Sequence, residues 1–242
     1  MRVAVYNQMF GMNGKNILSY LYAHYLVHFQ SNINKIRKAT QIDSTISIIR
    51  ESKSDIVGVC EVLEGQEKEL REKLKKEGYT YIYFGDGHKT RFNKLRIKVA
   101  LVSKIKCNNL SMTKFPVINE LGGGGGVVCC YFPSQKLHVL VVHFALTQKK
   151  DLMNEQLIFI NNYLRKLKGR LILMGDFNKT HSKVKEYFKD LVLLSAGIKS
   201  CRIMSTFNCR DLDHIFSRSF KLKANGFLEG KSDHRLVYVD LE

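Results

Sequence analysis

The chain has 242 residues with no tryptophan, only two prolines (Pro116 and Pro133), and few acidic groups for its length. So little proline leaves no proline-rich linker, and with 45% hydrophobic residues no stretch has the composition of a disordered tail or a repeat array. One domain spanning residues 1–242 is the economical reading. No apolar stretch reaches the ~18 residues that span a bilayer. Met1 to Asn7 turn polar too soon for a signal peptide, so a soluble intracellular protein, cytoplasmic or nuclear, is expected. No Cys-x-x-Cys pair occurs. Cys60, Cys107, Cys129, Cys130, Cys201 and Cys209 lie in or beside apolar runs, which predicts buried reduced thiols rather than a disulfide framework.

Base is abundant where acid is scarce: 39 Lys and Arg against 22 Asp and Glu, a net charge of +17, densest over Lys89 to Lys106 and Arg165 to Lys189. Such a field attracts polyanions. Nucleic acid is the first partner it suggests and an anionic membrane surface the second; a generally solubilising surface is the bland alternative. A monomer is expected.

Short β-rich or apolar runs predict strands at Val3 to Asn7, Asp55 to Glu61, Tyr79 to Phe84, Val99 to Ser103, Val127 to Phe132, His138 to Phe144, Arg170 to Asp176, Leu212 to Phe216 and Leu236 to Leu241. Ile42, Ile46 and Ile49 recur at helical spacing within Gln41 to Ser52, as do Leu157, Ile160, Leu164 and Leu167 within Asp151 to Leu167. Glu64 to Lys76 is charged and helical. Gly11 to Thr40 reads as a helical excursion or a long loop, and its Tyr20, Tyr22 and Tyr25 suit either stacking on bases or the packing face of a helix. Strands dominate the second half without strict strand-helix alternation. The pattern predicts an α/β protein built as a four-layer sandwich, two mixed β-sheets face to face with helices outside.

Several strands end in groups suited to phosphate chemistry. The run Arg170 to Met174 breaks into Gly175-Asp176-Phe177-Asn178, delivering a carboxylate and an amide to a sheet edge, where ligands tend to bind. Asn7, Glu61 and His143 stand at or near the ends of other strands, Asp213 lies in a further one, and Ser232-Asp233-His234 precedes the last. Taken singly, Asp176 with Asn178 suits the cap of a helix near Thr180, Glu61 a strand-end charge, and His143 a core imidazole. Their joint placement argues for a site.

The segments Val5-Tyr6-Asn7, Val59-Cys60-Glu61-Val62, Val142-His143-Phe144, Gly175-Asp176-Phe177-Asn178, Leu212-Asp213-His214-Ile215-Phe216 and Ser232-Asp233-His234, in this order, resemble the endonuclease/exonuclease/phosphatase superfamily over the whole chain. His143 is similar to the histidine of its deoxyribonuclease I-like branch, where abasic-site endonucleases present a tyrosine. The resemblance implies hydrolysis of phosphodiesters or phosphomonoesters with a divalent cation, and together with the basic charge it makes a Mg²⁺- or Mn²⁺-dependent phosphodiesterase that cuts DNA or RNA by in-line attack of water the leading expectation. It implies Glu61 as the principal metal ligand, with Asn7 and Asp233 completing or orienting the shell, since a hard cation prefers oxygen. It implies that Asp176 positions the water, Asn178 donates to a phosphate oxygen, and His234, held by Asp213, serves as general base or charged donor. His143 would protonate the leaving oxygen or hold a phosphate oxygen, with Asp86 as its acidic partner.

Two departures stand out. Met153 occupies the place of an arginine found in many relatives three residues before a glutamine, here Gln156. Gly122 to Gly126 lack the Lys-Ser/Thr of a P-loop and read as a flexible rim loop near the substrate. His24, His28, His88, His138, His181 and His214 read as structural or surface residues. Two further functions fit the chain: the same chemistry on a phospholipid headgroup, inositol phosphate or other small phosphoester, and a catalytically silent nucleic-acid-binding module.

Overall fold

Runs such as Val139 to Val142 and Leu171 to Met174 have no polar face, so their strands need cover on both sides. The fold provides it. The protein is described by a computed structural model covering residues 1–40, 42–90, 92–110, 112–116, 125–202 and 210–242. In chain order the elements are β1 (Arg2–Asn7), α1 (Ile17–Phe29), α2 (Ile33–Ala39), α3 (Asp43–Ser52), β2 (Ile56–Leu63), α4 (Glu67–Lys76), β3 (Tyr81–Gly85), β4 (Ile97–Ser103), β5 (Asn108–Asn109), β6 (Gly126–Phe132), β7 (Leu137–His143), α5 (Lys150–Lys166), β8 (Arg170–Asp176), α6 (His181–Val184), β9 (Val192–Leu193), β10 (Asp213–Arg218), β11 (Leu222–Leu228) and β12 (Leu236–Leu241).

Among the described residues the strands form two six-stranded mixed sheets, ordered β11-β12-β1-β2-β4-β3 and β5-β6-β7-β8-β10-β9. Three apolar layers account for the architecture. Val5, Ile56 and Leu101 of the first sheet pack on Val128, Val139 and Met174 of the second. Val57, Val59 and Ala100, on the opposite face of the first sheet, meet Ile46 and Ile49 of α3 and Leu70 and Leu74 of α4. Leu140, Leu171 and Leu173 on the outer face of the second meet Leu157, Ile160 and Leu164 of α5. The result is the expected sandwich with helices outside.

Element boundaries shift for local reasons. Tyr79 precedes β3 because its ring is buried and its hydroxyl donates to the Ser54 carbonyl at 2.8 Å. Leu167 is the C-cap of α5 rather than a member of its buried stripe, which runs through Met153, Leu157, Ile160 and Leu164. β11 has no counterpart among the predicted strands; it is an edge strand of largely exposed residues, so apolar alternation is missing. The excursion from Gly11 to Thr40 is helical, α1 and α2, started by the capping side chains of Asn16 and Asn32. Cys60, Cys107, Cys129, Cys130 and Cys201 are buried free thiols, as expected, and Cys209 lies outside the described residues.

Strand register then makes neighbours of residues far apart in sequence. His143 opposes Asp176 across the parallel β7-β8 pair, Asp176 opposes Asp213 across β8-β10, and Asn7 opposes Cys60, beside Glu61, across β1-β2.

Candidate active site

Each side chain reaches the site by a local backbone device. The register of β2 against β4 breaks between Val59 and Val62, and Glu61 sits in that break with φ +59°. A left-handed conformation costs a non-glycine residue about 1–3 kcal/mol and persists where the surroundings over-determine it. Here it accompanies a carboxylate 3.1 Å from Asn7 Nδ2 and 3.9 Å from His143 Nε2. Asn178 is also left-handed, at φ +50°, and its backbone N–H donates to Asp176 Oδ1 at 2.7 Å. Between them Phe177 is buried, its ring 5.1 to 6.0 Å from those of Phe144, His214, Phe216 and Phe188. Aromatic pairs contribute about 0.5–1.5 kcal/mol each beyond area burial, so this cluster pins the Asp176-Asn178 turn.

Asp176 joins the two sheets. Its Oδ2 accepts from Asn7 Nδ2 at 2.9 Å and lies 3.9 Å from both His143 Nε2 and His234 Nε2. His234 Nδ1 meets Asp213 Oδ2 at 2.5 Å, and its Nε2 is 3.8 Å from Asp233 Oδ2. The eight residues picked out by sequence form one cluster or its immediate wall: Asn178 donates through Nδ2 to the Phe144 carbonyl at 2.9 Å, and Asp233 Oδ1 lies 3.1 Å from Ser232 Oγ. Burial lowers His143. Burial also acts to lower His234, but the Asp213 carboxylate overcomes it and holds the imidazole well above its ordinary value. Glu61 is pushed up to about 8 by burial, then by the Asp233 charge.

The structure corrects two expectations. Asp86 is not the acidic partner of His143: it lies 3.8 Å from Lys98, while Glu61 and Asp176 supply the carboxylates near the imidazole. Tyr22 and Tyr25 do not form a packing face, since both are exposed; Tyr20 alone is half-buried. Met153 is core, and Gln156 Oε1 accepts from Ala145 N at 2.9 Å, steadying the chain just after His143. Of the five glycines only Gly125 and Gly126 are described; Gly125 N donates to the His143 carbonyl at 2.9 Å, and the rest of the expected rim loop lies outside the described residues. His214 is structural, its Nε2 2.9 Å from the Lys179 carbonyl.

Three supports brace this cluster, and of them only Ser232 stood in a sequence motif. Ser200 Oγ accepts from the amides of Leu212 and Asp213 at 3.1 and 2.9 Å, setting the start of β10. Ser232 Oγ donates to the Asn7 carbonyl at 2.7 Å, tying the last motif to β1. Arg202 donates to the carbonyls of Gly230 and Ser232, bracing the same loop.

The donor set fits a hard divalent cation. Glu61, His143 and Asp176 offer ligand atoms within 4.8 Å of one another, as do Asp176, Asp213 and His234. The ion pairs that Glu61, Asp176 and Asp233 make among the described residues come from histidines alone. Burial first and the Asp233 charge second disfavour the Glu61 carboxylate, and no lysine or arginine among the described residues pairs with it. A cation with oxygen preference offsets that penalty. Asn7 turns its amide nitrogen toward the carboxylates while its Oδ1 accepts from Met9 N at 3.0 Å.

The fold recurs in solved structures. An endonuclease/exonuclease/phosphatase family protein from Leptotrichia buccalis aligns at a TM-score of 0.69 and 19% identity over 100% of this chain and 99% of its own. A mannosyl-6-phosphatase from Bacteroides thetaiotaomicron aligns at 0.62 and 16%, over 100% and 99%. ANGEL2, a 2',3'-cyclic phosphatase, aligns at 0.67 and 12%, over 99% and 94%. No curated protein sequence matches this chain. Residues 29–234 match the model of the Endonuclease/Exonuclease/phosphatase family, and with that span aligned the chain belongs to this family of phosphoester hydrolases.

Proposed function

We infer that the protein is a Mg²⁺- or Mn²⁺-dependent phosphodiesterase acting on nucleic acid. The observation that carries the reading is Asp176, held by Asn7 and Asn178 from below and flanked at 3.9 Å by two imidazoles, a setting for one phosphate group. Glu61, with Asp176 and Asp233 beside it, would hold the cation, which supplies charge neutralisation for the phosphate oxygens.

The residues then have separable tasks. Asp176 aligns the attacking water and takes its proton, because its own hydrogen bonds from Asn7 and Asn178 fix the carboxylate's direction. Asp213 fixes the His234 ring through Nδ1, leaving Nε2 to donate to a non-bridging oxygen as charge develops. Asn178 has a second amide hydrogen beyond the one given to Phe144, free in chemistry to do the same. His143 faces the carboxylates from β7 and serves the leaving oxygen.

Charge supports a polymer substrate. Immediately after Asn178, Lys179 lines a cavity of about 430 Å³ with Lys150 and Lys183, and burial together with those two lysines lowers the Lys179 ammonium. Convergent cations beside a phosphate site suit the next phosphate of a strand. Lys179→Ala with Lys183→Ala should raise KM about tenfold on oligonucleotides, leave kcat in place, and reduce the slope of log KM against log salt by about 2. An unchanged slope separates this cavity from substrate binding.

A second reading, hydrolysis of a membrane phosphoester, is favoured by the exposed apolar face of α1 described below. The structural neighbours themselves span more than one substrate class, among them ANGEL2 with adenosine-2',3'-vanadate and a mannosyl-6-phosphatase. Single- and double-stranded DNA, RNA, phosphoinositides and hexose phosphates should be assayed with Mg²⁺, Mn²⁺ or EDTA. Metal-dependent turnover of nucleic acid is expected; turnover of lipids or sugars alone overturns the nucleic-acid reading, and no turnover of any phosphoester leaves a silent binding module.

A further inference from the structure

α1 is a 13-residue helix, ILSYLYAHYLVHF, without one Asp, Glu, Lys or Arg. A helix apolar on every side is normally buried on every side. This one is not. Ala23, Leu26 and Val27 pack inward, and His24 and His28 lie edge-on to the buried Phe10 ring at 5.7 and 6.1 Å. Outward, Leu18 is 77% exposed, and Leu21, Tyr22, Tyr25 and Phe29 are each more than half exposed. Phe92, 57% exposed, extends the surface with its ring 5.7 Å from that of Phe29. Its neighbour Asn93 donates through Nδ2 to the carbonyls of Val27 and Gln30 at 2.7 and 3.1 Å, so the loop is stapled to the end of the helix. A contiguous apolar patch of this kind marks an interaction surface.

The charges around it select the partner. Residues 1–42 contain no Asp or Glu, and neither do residues 87–118. Exposed Lys15, Lys35, Lys38 and Lys94 belong to these two segments. Aliphatic Leu18 and Leu21 offer nothing to a stacked base, whereas leucine, tyrosine and phenylalanine flanked by lysine are the composition that settles at a bilayer interface, aromatic rings at headgroup depth and ammonium groups on lipid phosphates. We propose that the outer face of α1, with Phe92, docks this protein on an anionic lipid bilayer.

The segment that leads into α1 lies beside the candidate site. Gly14, leading into α1, donates to the Lys231 carbonyl at 2.8 Å, and a Cβ at Gly14 would sit 2.7 Å from Asp233 N. Docking would therefore hold the catalytic cluster close to the lipid surface, which deepens the second reading above and rests on it only for this consequence. Binding itself requires no turnover.

The absence of tryptophan supplies the reporter, because Tyr22→Trp makes position 22 the sole indole in the full chain. In EDTA, its emission should shift to the blue on adding phosphatidylcholine vesicles containing phosphatidylglycerol, and the protein should sediment with them. Leu18→Glu with Leu21→Glu should weaken vesicle binding about tenfold or more, since each loses a buried aliphatic side chain. Lys35→Glu with Lys38→Glu should lower affinity for anionic vesicles alone. These positions are exposed, so the unfolding midpoint and hydrolysis of a soluble phosphodiester should not change. Failure to bind either vesicle type overturns the docking, even where soluble phosphoesters are hydrolysed. A blue shift produced by oligothymidylate instead of vesicles reassigns the face to single-stranded nucleic acid, and dimerisation abolished by Leu18→Glu reassigns it to a second copy. Vesicle binding without turnover of any phosphoester upholds the docking and sinks the catalytic reading.

Discussion

Asp176→Asn should lower kcat by about 10³-fold or more while nucleic acid still binds, because a positioned acid-base group contributes roughly 10²–10⁴ and, in the function proposed above, this carboxylate would also help to hold the cation. The substitution keeps the side chain's shape. Both Asp176 oxygens accept, from Asn7 Nδ2 at 2.9 Å and Asn178 N at 2.7 Å, so the asparagine loses one of these bonds and the variant should fold with its unfolding free energy lowered by about 1–3 kcal/mol. His234→Ala should fall comparably in kcat, since Asp213 then has no ring to fix and the phosphate loses a donor. The two losses should not add in the double variant, as groups that act as a unit do not. Single-turnover rates and filter binding on one oligonucleotide in Mg²⁺ check this directly. Full activity in either variant removes the mechanism, and loss of binding in step with kcat means that the residues hold substrate without driving its cleavage.

Gly175→Ala should destabilise the protein by about 4 kcal/mol or more, a size reserved for backbone clashes and core disruption. A Cβ at Gly175, whose φ is +152°, would lie 1.8 Å from the Val142 carbonyl oxygen and 2.7 Å from its carbon. Both are main-chain atoms within the β7-β8 pair, where Val142 opposes Gly175, so no side chain can move aside. The pair must open. That displaces His143 from Asp176 one position further on, so any folded fraction should lose activity as well. Gly78→Ala is the control: its φ is +86° in a turn with nothing within 4 Å, and the cost should stay near the ~1–2 kcal/mol of a left-handed alanine. Urea midpoints of the two variants separate the contributions, and equal midpoints would mean that Gly175 is not set by contact with Val142.

How much of this was legible beforehand varies by residue. Asp176 and His143 announce themselves because a strand buried on both faces is an unbroken apolar run, and a polar residue at its end has only an edge to occupy. Asp233 and His234 are visible for the same reason ahead of β12. Glu61 was visible as a residue but not as a bulge: nothing in Val59-Cys60-Glu61-Val62 reveals that the register against β4 slips there. Arg202 and Ser200 could not be found, because single polar residues in loops have no period and act through contacts 12 to 30 positions away; Ser232 was legible as part of its motif but not as the tie to Asn7. Asp86 failed as the partner of His143 because Lys98, on the adjoining strand, takes it.

Composition and local pattern by themselves determined the layered α/β class, the apolar runs of β2, β7 and β8, and the chemical types gathered for phosphate, since burial and backbone pairing impose those patterns on any chain that folds this way. Tertiary structure alone decided which oxygen faces which nitrogen: that Asn7 turns its amide nitrogen inward, that Asp176 Oδ2 stands 3.9 Å from both His143 and His234, and that an uncharged helix shows half its side chains to solvent. These outcomes depend on strand register and on how two sheets meet, and a shift of one residue would undo them while leaving every local preference satisfied.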